Sequence, residues 1–185
     1  MDTFNYLSVF VSIILGLGVT QLLSGFADWL EHRHAVKPHG PSLAWAGTLL
    51  LLHIQTWWTL FGLRHVEQWQ FLQFFVLLLQ PILLYLLAAL AMPKAATHPD
   101  LQQAFHSNRR WFFALLIGLL VVSLLKDLLI TGALPERSNL LFHAGAALAA
   151  VLGIAINHER VHQLLAYSTV LTIMLYIGLL FTRLP

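Results

Sequence analysis

Long apolar runs alternate with short polar connectors along the whole chain. A helix that crosses a bilayer needs roughly 20 mainly apolar residues, and six runs reach about that length. We predict transmembrane helices over residues 4–30, 42–64, 69–92, 111–133, 139–157 and 162–183. The connectors are too short to form a second folded unit. The pattern therefore predicts an all-α, polytopic membrane protein whose residues 1–185 form a single domain, a compact six-helix transmembrane bundle.

The composition agrees with this prediction. Hydrophobic residues make up 58% of the 185 positions and charged residues only 10%, whereas soluble domains carry about 25% charged residues. The net charge is +2, and the cations lie mainly between the apolar runs, so we interpret them as topology signals. The expected partner is the lipid bilayer and not nucleic acid. Cysteine is absent, which excludes disulfides and thiolate chemistry.

The distribution of Lys and Arg predicts the orientation of the bundle. The connectors after the first, third and fifth runs carry Arg33, Lys37, Lys94, Arg109, Arg110 and Arg160. The opposite side carries Arg64, Arg137 and Arg183. Because cytoplasmic loops are enriched in Lys and Arg, we expect both termini on the non-cytoplasmic side of the cell (inner) membrane.

The first run carries a small or polar residue at every fourth position. These residues are Ser8, Ser12, Gly16, Thr20 and Ser24. Such spacing forms a ridge along a helix that lets another helix approach closely. The ridge predicts a packing seam inside the bundle. The alternative is an interface between copies of the chain, which would make the protein a homo-oligomer.

Two adjacent charges, Lys126 and Asp127, lie near the end of the fourth run. If the span ended before them it would measure only about 22 Å, short of a hydrocarbon core roughly 30 Å thick, so we expect both inside the membrane. Neighbouring residues point about 100° apart on a helix, so each charge is expected to find a partner on another helix. The groups expected at the depth of Asp127 are His143, Arg64 and Gln73. Such a carboxylate is either part of a functional site or part of a structural salt bridge that holds the second, fourth and fifth spans together.

His53 lies in the middle of the second run. A lone histidine there is either a hydrogen-bonded structural residue or a functional one, since imidazole titrates near neutral pH. We hypothesise a non-enzymatic protein that moves or senses a small polar species, first a proton or cation, through a polar cavity in the outer half of the bundle. The residues expected to form this relay are Asp127, Lys126, His143, His53, Arg64, Gln73, Gln80 and Tyr176.

Each of the main relay residues has an expected role. Asp127 would hold the titratable charge, and Lys126 would tune it. His143 would act as the outer relay and His53 as the midplane relay.

Two alternatives remain open. Two predicted helices each carry two histidines, as a haem b-binding electron-transfer bundle would require. The candidate haem ligands are His53, His65, His143 and His158. The other alternative is a structural or accessory subunit bound to a membrane partner protein. No cofactor is favoured.

Metal and enzyme chemistry are less favoured. We expect no metal site, and we interpret the loop histidines His32, His34 and His39 as a solvated rim. No hydrolase, nucleotide-binding or metalloprotease motif occurs in the sequence, so an enzyme is the less favoured class.

Overall fold

The chain folds into α-helices joined by short connectors. The computed structural model describes residues 3–66, 68–94 and 100–180. Within these residues the α-helices are α1 (Thr3–Glu31), α2 (Gly40–Leu60), α3 (Phe71–Ala91), α4 (Leu101–Thr131), α5 (Arg137–Ala155) and α6 (Glu159–Leu180). A 3₁₀ turn, Phe61–His65, continues α2. The all-α prediction is confirmed. The predicted end of the sixth span, residue 183, lies outside the described residues.

Five of these helices are long and apolar enough to cross a membrane, counted over the described residues. This supports a helical membrane protein with five candidate spans where the sequence predicts six. The exception is α2, which is long enough but has too low a mean hydropathy, because His53, Gln55 and Thr56 interrupt its apolar run. α2 contacts α1, α3, α4 and α6. Neighbouring helices therefore cover much of its surface, and it needs less apolar character than a lipid-facing helix.

α4 begins well before the predicted span. Its first residue is Leu101, so the second half of the predicted connector 93–110 is helical. The side chain of Asp100 caps this end by accepting a hydrogen bond from the backbone N–H of Gln103 (3.1 Å). At the other end Gly132 adopts a left-handed conformation (φ 73°) that stops the helix. A polar start with a good cap has extended the helix beyond its apolar run.

Contacts between helix ends define two ends of the bundle. The side chain of Gln73, in the first turn of α3, donates to a carbonyl near the end of α4 (2.9 Å). Tyr176 of α6 donates to the side-chain oxygen of Asn139 in α5 (3.1 Å). We call this the Asp127 end. The opposite end, where the starts of α2, α4 and α6 meet, is called the Glu159 end.

α1 packs into the bundle through a stripe at three- and four-residue spacing. Its buried residues are Phe4, Leu7, Val11, Leu15, Gly18, Leu22 and Gly25. This corrects the expectation of a packing seam along the small-residue ridge. Ser8 and Ser12 are only half-buried, and Gly16, Thr20 and Ser24 are exposed. The physical reason is van der Waals packing: large apolar side chains interdigitate with the neighbouring helices, and Gly18 and Gly25 in the same stripe let those helices approach closely. An interface between copies through the ridge stays a prediction.

Candidate functional site

A cavity of about 370 Å³ lies inside the bundle between α2, α4, α5 and α6, with α3 closing one side. Its lining mixes leucines with Thr, Gln, Ser and Asn side chains. The predicted relay residues that line it are Asp127, Lys126, His143, Gln80 and Tyr176. Those that do not are His53, Arg64 and Gln73. The cavity thus brings together charged and hydrogen-bonding groups from four helices, α3, α4, α5 and α6.

Lys126 and Asp127 form an ion pair with each other. Lys126 Nζ lies 3.2 Å from Asp127 Oδ1, and the two side chains are 15% and 25% exposed. This corrects the expectation that each needs a partner on another helix. The lysine side chain has a long flexible stem, so its ammonium can curve around the helix to the neighbouring carboxylate. Both residues line the cavity, where partial shelter from water strengthens their attraction.

The wall of the cavity beside α4 is formed by α5. His143 Nδ1 donates to the carbonyl of Asn139 (2.9 Å). With that nitrogen protonated, Nε2 of the neutral ring accepts from the Ser123 hydroxyl on α4 (3.3 Å). Tyr176 reaches the same region through its bond to the Asn139 side chain. Hydrogen-bonded side chains from α4, α5 and α6 therefore line the same cavity as the ion pair.

The other two expected partners of Asp127 bind elsewhere. Gln73 accepts a hydrogen bond from the backbone N–H of Gln70 (3.0 Å) and donates to the α4 carbonyl described above. Arg64 donates to the carbonyl of Phe61 (3.2 Å), and its guanidinium lies 4.2 Å from the centre of the Phe61 ring. Gln73 ties α3 to α4, and Arg64 folds back onto its own turn.

A second set of polar residues lines the cavity where α2 faces α3. Gln80 Nε2 of α3 lies 3.4 Å from Thr56 Oγ1 of α2, and both side chains are buried. Gln55 and Thr59 also line the cavity. The polar residues that lower the hydropathy of α2 thus serve in part as cavity wall.

His53 lies outside the cavity. It is 1% exposed, and its Nδ1 donates to the carbonyl of Leu49 one turn earlier (2.7 Å). Its Nε2 has no hydrogen-bond partner and faces Gly18 of α1, where an added Cβ would collide with the ring. This surrounding matches the hydrogen-bonded structural interpretation of His53. The structure gives it no contact with the proposed midplane route.

The four candidate haem ligands are not brought together. His53 is packed against α1, and His143 is held in the cavity wall. His65 is exposed on the 3₁₀ turn, and His158 is exposed between α5 and α6 at the other end of the bundle. An axial pair needs two rings on opposite sides of one space. These four rings have four different surroundings.

Aromatic rings close the cavity on the side away from Asp127. The Trp45 ring makes edge contacts with Phe112 (5.1 Å between ring centroids) and Phe113 (5.6 Å). All three side chains are almost fully buried. Trp45 and Thr48 line the cavity, and their buried Nε1 and Oγ1 atoms have no hydrogen-bond partner. We call Trp45, Phe112 and Phe113 the aromatic floor.

A second polar cluster lies beyond the floor, at the Glu159 end. The carboxylate of Glu159 accepts from His39 Nε2 (3.0 Å), His106 Nε2 (2.9 Å), Gln163 Nε2 (3.1 Å) and Gln102 Nε2 (3.3 Å). His39 is only 4% exposed, so it does not belong to a solvated rim. Its burial lowers the pKa of its ring, against the opposing effect of the bond to Glu159. One carboxylate thereby ties together the starts of α2, α4 and α6.

Two further residues pack beside this cluster. Arg109 is buried in α4 and donates to the carbonyls of Gly153 (3.4 Å) and Ile154 (2.9 Å) in the last turn of α5. A cation there compensates the negative end of the helix, so Arg109 is not the loop charge that the sequence predicts. The His162 ring is fully buried and stacks on Phe113 (5.9 Å).

The sequence prediction missed the Glu159 cluster. His39 directly precedes the Gly-Pro start of α2, and Glu159 opens α6, which marks both as helix-start residues. However, 120 positions separate them, and no local pattern indicates a contact over that distance. Although the cluster is rich in histidine, no group of three or more His, Asp or Glu residues in the described ranges is arranged to hold a metal ion.

Comparisons with known proteins add no assignment. No protein-family model matches the chain, and neither a curated protein nor a solved structure is significantly similar to it.

Proposed function

We propose that this protein moves or senses a small polar species, with a proton or a cation as the first candidates, through the cavity at the Asp127 end. The observation that supports the proposal is the Lys126–Asp127 ion pair, which faces a cavity of about 370 Å³. Ionisable residues inside a membrane that face a cavity commonly belong to ion or proton pathways.

The chemistry of the proposal centres on Asp127. Its carboxylate is held by Lys126 and remains a quarter exposed. A proton or cation that binds the carboxylate weakens the attraction for Lys126, so binding and a change in the ion pair are coupled. His143 and Ser123 provide a neighbouring donor and acceptor that can relay a proton.

The proposal includes a membrane orientation. α2 would be the sixth span, since it lies among four other helices that cover its polar side chains. Most of the connector cations lie at the Glu159 end, even without Arg109. This end would face the cytoplasm of the cell (inner) membrane, with both termini on the other side. Fusing a reporter that is active only outside the cytoplasm to the amino terminus should give a positive result, and an inactive fusion would reverse the orientation.

Reconstituted vesicles test the function directly. Vesicles that contain the purified protein should change internal pH or cation content faster than empty vesicles after a gradient is applied. We expect D127N to lower this flux by about tenfold or more, because Asp127 is the carboxylate that lines the cavity in the described part of the chain. D100N is the matched control, since Asp100 caps α4 outside the cavity. Flux no higher than that of empty vesicles, or flux unaffected by D127N, would reject the proposal.

A homo-oligomer is a separate proposal supported by the exposed ridge of α1. Gly16 has open space around it, and the chain contains no cysteine, so a single G16C variant reports on one contact alone. Oxidation in the membrane should give a covalent dimer if the ridges of two copies meet. A variant with cysteine at Leu15, on the buried face, is the control. If both cysteine variants remain monomeric after oxidation, the ridges of two copies do not meet, and a different membrane protein becomes the candidate partner of the ridge.

A further inference from the structure

The cavity is much larger than a site for an ion alone. A buried water needs only about 10–15 Å³ of comparable space, whereas sites for small organic ligands start at roughly 300 Å³. The cavity measures about 370 Å³. Its lining follows α4 from Leu116 to Asp127, a length of roughly 16 Å at 1.5 Å per residue. These dimensions match an elongated organic molecule.

The lining changes character along this length. Polar groups at the Asp127 end are Lys126, Asp127, Asn139, His143 and Tyr176. Toward the aromatic floor the lining is mainly apolar, with Leu84, Leu116, Leu119 and Ala149 beside the hydroxyl-bearing Thr48. A fully hydrated ion gains nothing from the leucine-lined part. A molecule with a polar head and an apolar body would contact both parts favourably.

The charge balance of the polar end restricts the head group. One cation and one anion line the cavity, and each is held by the other. An anion bound to Lys126 would leave Asp127 without its partner, and a cation bound to Asp127 would leave Lys126 without one. An unpaired charge in such a sheltered site is costly. A head group that carries both charges pairs with both residues and leaves the cavity neutral.

We propose that this cavity binds a small organic zwitterion with an apolar body. Its carboxylate pairs with Lys126 and its ammonium with Asp127, while the body lies along the leucines toward Trp45. The inference rests on the proposed function and narrows the small polar species from an ion to an amino-acid-like molecule.

A matched ligand series tests whether the cavity prefers a ligand that carries both charges. The probes are phenylalanine, phenethylamine (which lacks the carboxylate) and 3-phenylpropanoate (which lacks the ammonium), with the corresponding leucine series as a second body size. Titration calorimetry on the purified full chain in detergent gives the affinities. We expect each zwitterion to bind at least about tenfold more tightly than either of its single-charge analogues, since each charge forms its own charge-assisted hydrogen bond.

Substituting each charged residue should affect a different comparison in the ligand series. D127N should abolish the advantage of phenylalanine over 3-phenylpropanoate, because the ammonium loses its partner. K126Q should abolish the advantage over phenethylamine. D100N is the control and should leave the series unchanged. L120W keeps both charges but fills the cavity that Leu120 lines, so it should bind none of the probes. Size-exclusion chromatography should show that this variant still elutes as a folded protein.

The outcomes separate this inference from the proposed function. If neither zwitterion binds, or if the single-charge analogues bind equally well, the inference is overturned, whatever the vesicles show. If the ion flux depends on Asp127 while no zwitterion binds, the proposed function stands without it. If zwitterions bind more tightly than their single-charge analogues but neither they nor ions cross the membrane of reconstituted vesicles, the binding site stands and the transport function fails.

Discussion

The two ends of the bundle hold carboxylates in opposite situations. Asp127 is paired with one lysine and faces a cavity. Glu159 accepts from four side chains that come from three parts of the chain. A carboxylate with all its hydrogen-bond positions filled acts as a structural tie, whereas one with a single partner and open space can exchange that partner. The number of donors and the space around them distinguish the two roles better than burial does.

Removing the Glu159 carboxylate should produce the largest change in stability. E159A leaves the buried His39 without its acceptor and separates three helix starts, so we expect a loss of about 2–3 kcal/mol in the free energy of unfolding. Denaturant titration in detergent measures it. D127N is the comparison and should change the same quantity by less than about 1 kcal/mol, since its site is less constrained. Equal losses would remove the distinction between the two ends.

Two glycines on α5 allow a tightly packed position to be compared with an open one. An added Cβ at Gly153 would collide with the Phe113 ring, whereas Gly145 on the same helix has open space around it. We expect G153A to destabilise the protein by about 2 kcal/mol through overpacking. G145A should be neutral or slightly stabilising, because alanine favours helix more than glycine does. Thermal unfolding of both variants checks the difference, and similar midpoints would contradict it.

Cysteine accessibility compares the two ends without any assumption about transport. In this cysteine-free chain, S123C places one thiol in the cavity wall and S42C places one beside His39 at the Glu159 end. We expect S123C to react with a small thiol reagent more than about tenfold faster, since reaction requires an exposed thiolate. Phenylalanine should slow S123C alone. Comparable rates in detergent would mean that the Glu159 end also opens to water.

The smallest expected effect concerns pH. Burial lowers the pKa of His39 from its ordinary value of 6.5, so below that value the unfolded chain binds the proton more readily than the folded chain. Stability from the neutral ring is complete above pH 6.5 and is lost as the pH falls toward the lowered pKa. Glu159 and Asp100 raise the pKa of His39 and so reduce this loss, whereas His106 lowers it and so increases the loss. H39Q retains an N–H donor but does not titrate in this range, so it should reduce the drop in melting temperature between pH 7.5 and 5.5. If the drop is unchanged in H39Q, another group causes the pH dependence.

The sequence was sufficient for the helices and for part of the cavity. Apolar runs locate helices because a bilayer-length helix must be apolar, and the length argument for Lys126 and Asp127 places both charges on the part of α4 that lines the cavity. Depth then groups them with His143 and Tyr176, which line the same cavity. Depth does not determine which way a side chain faces: His53 lies against α1, although the sequence predicts the same depth for it and for Gln80.

The remaining features depend on contacts that no local pattern contains. The bond between Lys126 and Asp127 needs a particular lysine rotamer, which sequence spacing does not specify. The Glu159 cluster joins residues from connectors and helix starts, and such positions have the same composition whether they are solvated or packed. Arg109 illustrates this: as part of the sequence SNRR it resembles a loop cation, but the capped extension of α4 brings it to the end of α5.

The aromatic floor lies between the cavity and the Glu159 end of the bundle. A molecule that travelled from the Asp127 end to the Glu159 end would have to part Trp45 of α2 from Phe112 and Phe113 of α4. The starts of the same two helices are joined beyond the floor through Glu159. Passage would therefore be limited by the lifetime of this tie and not by affinity at Asp127, so the residues that control the rate would be those farthest from the entrance.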